Sequence, residues 1–245
     1  MTLTLSLFNT SVWSQEMNKF VLSSVKEMPL EGGYELTETP ARRMMEAFSL
    51  GGNSDLNLDP ILAVPSYCTT ATYMVFYKAL EKYWASRTIF PSEELLKKLK
   101  PEMEKDGVRT WGRWNSNGPG TAKLFFDTGL GKNFDDLTKA IPGDFIKIFW
   151  NDQVGKLEKG HTGIFLGLTS VNGEKAMKFW ASSKSTNGFS ERTILMSEAE
   201  RILFSRLTNP ENVVEIAKLP EEDDFLASML NRVSSWEELK RASGF

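Results

Sequence analysis

The sequence predicts an α+β fold in which helices, a run of antiparallel strands and further helices follow one another along the chain. The first part carries apolar residues at helical spacing, and residues 141–196 carry short apolar runs separated by turn residues. The tail from Ser197 again has a mostly helical pattern. Because helices and strands occupy separate stretches, this order favours α+β over a parallel sheet built from βαβ units.

The first part of the chain predicts four helices. Apolar residues recur at helical spacing over residues 12–27 and 39–49, and the turn-rich segment 51–60 between them and the next helix predicts a loop. A longer helix is predicted from about Cys68 to Ser86. Residues 92–105 form a short, highly charged helix whose lysines alternate with leucines, which is typical of a solvated helix face.

The middle of the chain predicts a loop and then a short helix. Residues 107–120, GVRTWGRWNSNGPG, place two tryptophans among Gly, Asn and Pro, which is the composition of a loop. A helix over 121–128 follows. In the tail, Ser197 and Glu200 have the spacing of a capping box, which predicts that a helix begins there.

Four strands are predicted between the two helical parts. IPGDFIKIFW, at 141–150, predicts a turn that leads into a strand, and 161–170 predicts the next one. An Asn-Gly pair within 171–174 is typical of a tight hairpin turn, so 175–183 should return beside the preceding strand. Residues 192–196 predict a fourth strand.

A chain of 245 residues has room for one large domain or two small ones. We expect a single domain over residues 1–245, with a core at about 61–196. A helical N-terminal extension over 1–60 and a helical C-terminal extension over 197–245 should wrap this core, where they could also cover a substrate groove.

Composition excludes several classes of partner. The net charge is −3 and no cluster of Lys and Arg is present, so we expect no nucleic-acid partner. No window of about 18 apolar residues exists, so no membrane span is expected. The first residues lack the pattern of a signal peptide. This predicts a cytoplasmic protein, or an extracytoplasmic one (periplasmic or secreted) if a signal peptide has been removed. The oligomeric state is not indicated.

The chain has one cysteine, and its local sequence suits a nucleophile. Pro65 keeps the preceding residue extended, and helical spacing begins after Cys68. Cys68 therefore lies near a helix N-terminus, where unpaired N–H groups and the helix dipole stabilise a thiolate and can hold an oxyanion. The alternative is a buried and inert cysteine.

The chain also has one histidine, at the start of an apolar strand. His161 follows Gly160, so its ring would be held rigidly at the mouth of that strand. The alternative is a histidine that ends a strand and has no chemical role. A metal site is not expected, because zinc requires several His or Cys ligands. A serine triad would need the same His161, and no G-x-S-x-G elbow is present. The 32 acidic residues leave a carboxylate pair open.

These motifs together resemble the NlpC/P60 and CHAP families, which are papain-like cysteine peptidases and amidases. Cys68 begins a helix, Pro142-Gly143-Asp144 leads into a strand, and Gly160-His161-Thr162-Gly163-Ile164 begins an apolar strand. The resemblance covers residues 64–183. It implies a papain-like core in which a helix that carries Cys68 packs on an antiparallel sheet that carries His161, with extra helices at both ends.

The resemblance also implies a third polar residue on the strand after the histidine strand, where it accepts a hydrogen bond from the imidazole. Trp180 occupies that position, and an indole N–H can only donate. Ser182 lies two residues further on the same strand face and has an acceptor oxygen, so we expect it to be the third catalytic residue. Ser183 and Asn187 are the less favoured substitutes.

Five residues are candidates for substrate binding. Trp111, Trp114 and Asn115 would suit a groove for a peptide or a sugar, although tryptophans that pack a loop onto the core are an equal alternative. Tyr67 directly precedes Cys68, and Trp180 occupies the position at which the family pattern has the third polar residue.

The expected function is a cysteine-dependent amide hydrolase that needs no cofactor. Cys68 would attack the carbonyl carbon, and His161 would accept the thiol proton and return it to the leaving amine. The resemblance implies a bacterial cell-wall peptide, or peptidoglycan, as the substrate. Two alternatives stay open: a non-catalytic binding module on the same fold, and an acyltransferase that forms a thioester.

Overall fold

The computed structural model describes residues 5–52 and 55–245 of the chain. The helices are α1 Leu5–Val25, α2 Thr39–Ala47, α3 Cys68–Arg87, α4 Glu93–Leu99, α5 Arg109–Asn115, α6 Gly120–Thr128, α7 Asp224–Ser228 and α8 Trp236–Ala242. The strands are β1 Glu31–Gly32, β2 Phe48–Leu50, β3 Leu56–Leu58, β4 Gly131–Phe134, β5 Phe145–Phe149, β6 Val154–Gly155, β7 Gly160–Val171, β8 Glu174–Ser183, β9 Gly188–Leu195, β10 Arg201–Leu207 and β11 Val233–Ser234. The fold is therefore α+β, as predicted.

A seven-stranded antiparallel sheet carries the histidine at its centre. The strand order is β1-β9-β8-β7-β5-β10-β4. The hairpin between β7 and β8 closes at Asn172 and Gly173, whose φ angles are 51° and 84°, so both residues take the left-handed conformation that a two-residue turn of this kind needs. The Asn-Gly hairpin prediction is confirmed.

The tail departs from the helical prediction for residues 197–245. β10 lies between β5 and β4 in the sheet, so a strand from the predicted C-terminal extension is an interior strand of the sheet. Its sequence, RILFSRL, is short and is buried on both faces, and periodicity alone cannot separate such a run from a buried helix segment. The capping interaction here is the one from Leu195 N–H to the Glu198 carboxylate, at 2.7 Å, and it begins a single 3₁₀ turn.

Three other segments also contain more regular structure than predicted. β1, in the N-terminal extension, pairs with β9 at the edge of the sheet. The predicted loop 107–120 contains α5, and the predicted loop 51–60 contains β3, which pairs with β2. In each case tertiary contacts order a short segment whose turn-rich composition has no regular period of its own.

α3 is the central helix of the core. It is buried on most of its surface, and it packs against α1, β7 and β8. A helix that is apolar on all sides is stable only when other elements surround it. The main hydrophobic cluster accordingly extends from Met17 on α1 through α3 to Ile216 near the end of the chain.

The Pro-Gly-Asp turn ties α1 and β10 to the start of β5. The carboxylate of Asp144 is fully buried, and both of its oxygens accept from the Arg206 guanidinium at 2.7 Å. Asn18 on α1 donates to the same carboxylate at 3.1 Å and to the Pro142 carbonyl at 2.9 Å. Gly143 has φ of +97°, and an added Cβ would lie 2.8 Å from the Asn18 backbone. The close approach of α1 therefore requires glycine here.

Removal of the Asp144 carboxylate should destabilise the protein strongly. Asp144→Ala leaves the Arg206 guanidinium and the Asn18 amide without their buried acceptor, and we expect a loss of about 3 kcal/mol in the free energy of unfolding. Urea denaturation followed by circular dichroism measures it. Asp152→Ala, at an exposed loop carboxylate, is the matched control and should change the free energy by less than about 0.5 kcal/mol. Equal effects of the two substitutions would contradict this account of the turn.

Candidate active site

Cys68 is the first residue of α3, and the chain that leads to it is held from two sides. Ser66 N–H donates to the Gly33 carbonyl at 3.1 Å, and Glu35 N–H donates to the Ser66 carbonyl at 3.3 Å. The Ser66 hydroxyl donates to Ser182 Oγ on β8 at 2.7 Å. The thiol is thereby placed at a helix N-terminus, where the first N–H groups have no partner within the helix.

His161 lies at the start of β7, where β7 and β8 diverge. The ladder between these strands runs from Val171–Glu174 to Ile164–Trp180. Beyond that pair the His161 side chain connects the two strands, because its Nε2 lies 3.1 Å from Ser183 Oγ. The ring is 7% exposed and contacts Phe179 edge-on, with 6.0 Å between ring centroids. The imidazole is therefore held in place by packing as well as by a hydrogen bond.

The structure brings Cys68 and His161 together. The thiol lies close enough to the imidazole and to the backbone N–H and hydroxyl of Thr162 for all three groups to act on its pKa. Burial acts to raise the pKa of Cys68, but the imidazole and the two Thr162 groups outweigh it and lower this pKa to about 6. Because Nε2 faces Ser183, we infer that Nδ1 is the nitrogen that faces the thiol.

The third residue differs from the one expected. Ser182 Oγ bonds to Ser66 Oγ, whereas Ser183 Oγ contacts the imidazole. Successive side chains of a strand point to opposite faces. Ser182 therefore points with Trp180 toward α3, and Ser183 points with Phe179 toward His161. The prediction of Ser182 as the orienting residue is wrong for this geometric reason.

The thiol opens onto a cavity of about 370 Å³. Tyr67 and Asn115, two of the expected substrate-binding residues, line it, and Asn115 Oδ1 accepts from the Thr69 hydroxyl at 2.6 Å. The other lining residues are Tyr34, Leu36, Thr37, Asp106, Asn117, Lys147, Glu158, Gly160, Thr162 and Leu230. The cavity thus combines the Cys68 thiol with mostly polar walls and two leucines.

The three expected tryptophans are core residues. Trp111, Trp114 and Trp180 are each no more than 3% exposed and do not line the cavity. Trp114 donates from Nε1 to the Thr72 hydroxyl at 3.1 Å and stacks on Phe76. Their assignment to substrate binding is therefore wrong: large aromatic rings release more free energy when they fill the core beside α3 than when they lie in an open groove.

The charged residues of the cavity and Tyr34 were not predicted from the sequence. Lys147 and Glu158 form an ion pair at 2.5 Å, and Glu158 also accepts from Gly118 N–H at 2.7 Å. Burial raises the pKa of Asp106, which accepts from Asn117 N–H at 3.2 Å. These residues come from separate segments with no shared motif, so no local signal could have grouped them.

Burial, and after it the charge of the Cys68 thiolate, raise the pKa of Tyr34 well above its ordinary value. The phenol is therefore a hydroxyl donor at neutral pH. Its position follows from the pairing of residues 33–35 with Ser66, two residues before the nucleophile.

Within residues 5–52 and 55–245, no helix has both the length and the hydropathy needed to cross a membrane. In the same residues no group of His, Cys, Asp and Glu is arranged to hold a metal ion. Comparisons with family models, with curated proteins and with solved structures find no match to this chain.

The reactivity of Cys68 should depend on pH as expected for a thiol with a pKa of about 6. The thiolate is the reactive form, so the rate of alkylation by iodoacetamide should rise with pH and reach half its maximum near pH 6. His161→Ala should move this midpoint upward, toward the ordinary range of a thiol, because the imidazole that lowers the pKa of Cys68 is gone. Mass spectrometry reports the reaction without ambiguity because the chain has one cysteine. A wild-type midpoint above pH 8 would contradict the proposed pair.

Two adjacent serines provide a matched test of the imidazole contact. Ser183→Ala removes the partner of Nε2, and we expect alkylation at pH 7 to slow on the order of 10-fold as the ring loses its orientation. Ser182→Ala removes only the bond to Ser66. It should cost about 1 kcal/mol of stability and leave the alkylation rate near that of the wild type. The reverse ranking of the two rates would restore Ser182 as the orienting residue.

Proposed function

We propose that this protein is a cysteine-dependent amide hydrolase with a papain-like catalytic arrangement. The observation that carries the proposal is that Cys68 lines a cavity and lies close to His161, which lowers the pKa of Cys68 to about 6. A structural cysteine has no need of a lowered pKa or of access to a cavity, whereas a nucleophile needs both.

The roles of the pair follow from their positions. Cys68 attacks the carbonyl carbon of the substrate amide as a thiolate, and His161 holds the proton that left the thiol. When the tetrahedral intermediate collapses, the imidazolium donates this proton to the leaving amine, and the acyl group stays on sulfur as a thioester. Water, deprotonated by the neutral imidazole, then attacks the thioester, which releases the acid and restores the thiol.

Two donors are available for the oxyanion. The backbone N–H of Cys68 lies at the N-terminus of α3, where the helix dipole also favours negative charge. The Tyr34 hydroxyl lines the same cavity and stays protonated. One donor of this kind is typically worth on the order of 3 kcal/mol of transition-state stabilisation.

The cavity favours a peptide-like substrate. Its walls carry amide, hydroxyl, carboxylate and ammonium groups, which suit the hydrogen-bonding groups of a peptide backbone. The resemblance to NlpC/P60 and CHAP enzymes, which rests on Cys68, residues 142–144 and residues 160–164, makes bacterial cell-wall peptides the first substrates to test.

Hydrolysis is tested by the appearance of new amine and carboxyl ends. The purified protein, incubated with peptidoglycan or with a library of peptide amides, should release fragments in which one amide bond has gained the elements of water, as mass spectrometry detects. Cys68→Ser should abolish release. Tyr34→Phe should reduce turnover roughly 100-fold while the alkylation rate of Cys68 stays unchanged, because iodoacetamide forms no oxyanion.

Tyr83→Phe, near the end of α3 and outside the cavity, is the matched control and should turn over as the wild type does. Normal alkylation of Cys68 without cleavage of any amide would contradict the hydrolase proposal and favour the binding module. A product whose acyl group is joined to an added amine or alcohol, in place of water, would identify an acyltransferase.

A further inference from the structure

Ser183 has a second polar neighbour, the guanidinium of Arg192, which has no role in the proposed reaction. Arg192 on β9 is in register with Phe179 on β8, and its Nη1 lies 3.5 Å from Ser183 Oγ. Its guanidinium lies over the Phe179 ring, with 5.6 Å from Cζ to the centroid. The imidazole of His161 contacts the same ring. The two side chains thus flank Phe179, and both reach the hydroxyl of Ser183.

The chemistry of these groups determines the direction of the bonds. A guanidinium can only donate, and a charged imidazolium donates from both nitrogens. In the thiolate–imidazolium state, Ser183 Oγ therefore accepts from Arg192 and from Nε2 of His161, one bond for each lone pair. The hydroxyl hydrogen of Ser183 therefore points toward neither Arg192 nor Nε2.

A serine held only by the imidazole could rotate about χ1 and carry its oxygen away from Nε2, since serine has three staggered rotamers. A second hydrogen bond, from the Arg192 guanidinium, which can only donate, restricts Ser183 to the rotamer that faces the ring. The contact with Phe179 holds Arg192 in place. Glu198 and Tyr34 are the charged or titratable groups that act on the Arg192 guanidinium, and both raise its pKa. Burial lowers the pKa of Arg192 from its ordinary value, but a guanidinium remains charged near neutral pH.

We propose that Arg192 is a positioning residue of the candidate active site. Its guanidinium holds the Ser183 hydroxyl oxygen against Nε2 of His161, and thereby keeps Nδ1 directed at Cys68. Two residues then orient the imidazole: Ser183 accepts its hydrogen bond, and Arg192 fixes the position of Ser183. A single carboxylate or amide would otherwise do both. This inference rests on the proposed function, because it assigns Arg192 a role in that reaction.

The single histidine allows a direct test. In protein labelled with ¹⁵N-histidine, the two imidazole nitrogens of His161 give the only histidine side-chain signals. Arg192→Met keeps the length and the packing on Phe179 but removes the donor, and it should move the Nε2 resonance in the same direction as Ser183→Ala does. Arg192→Lys, which retains a donor, should lie between Arg192→Met and the wild type. Lys178→Met, which removes a cation paired with Glu191 on the same two strands, should leave both resonances unchanged.

Kinetics separate positioning from folding. With a peptide amide as substrate, Arg192→Met should lower kcat by about 10-fold or more while KM changes little, because misorientation affects the transition state more than binding. In the double variant Ser183→Ala/Arg192→Met the loss should equal that of Ser183→Ala alone, since Arg192 acts through Ser183. Circular dichroism confirms that each variant is folded before it is compared.

Several outcomes would overturn the inference. Unchanged His161 resonances in Arg192→Met, a resonance shift without loss of kcat, or losses that multiply in the double variant would each show that Arg192 does not act through Ser183 and the imidazole. Failure of the proposed function looks different, because the wild-type protein itself would then cleave no amide, whatever the alkylation rate of Cys68.

Discussion

The contact between the first two turns of α3 and the start of β7 is the constraint on which the rest of the site depends. Thr72 on α3 lies 3.4 Å, oxygen to oxygen, from Thr162 on β7, and Trp114 donates to the same Thr72 hydroxyl. Burying polar groups such as these in an otherwise apolar interface costs free energy unless they form hydrogen bonds with one another. Their pairing therefore favours one position of α3 along β7 over the others. That register places the Cys68 thiol beside His161 and Thr162 and opens the helix N-terminus toward the cavity.

The second constraint is the alternation of side chains along β8. Ser182 and Ser183 are neighbours in sequence, yet they have different partners because they lie on opposite faces of the sheet. Ser182 secures the segment before Cys68, and Ser183 holds the imidazole. The ladder between β7 and β8 ends at Ile164–Trp180, and beyond it the imidazole reaches Ser183 on β8. The end of β8 therefore supports both the segment before Cys68 and the His161 imidazole.

Several features were predictable because their causes are local. The start of α3 at Cys68, the Asn-Gly hairpin and the strands on either side of it follow from helical spacing, turn residues and apolar runs. β10 was missed because a short strand buried on both faces has no alternating pattern. The tryptophans were misassigned because the sequence does not show whether an aromatic ring faces a groove or the core, and the cavity residues Tyr34, Asp106 and Glu158 come from segments with no common motif.

The sequence by itself determined the α+β class, the position of Cys68 at a helix start and the presence of one cysteine and one histidine. These depend on composition and on periods of two to four residues, which are read along the chain. Only the tertiary structure decided that the pair meets, that Ser183 and not Ser182 faces the imidazole, and that Arg192 stands behind it. Each of these depends on which faces of distant strands and helices come together, and that is set by the packing of the whole core around α3.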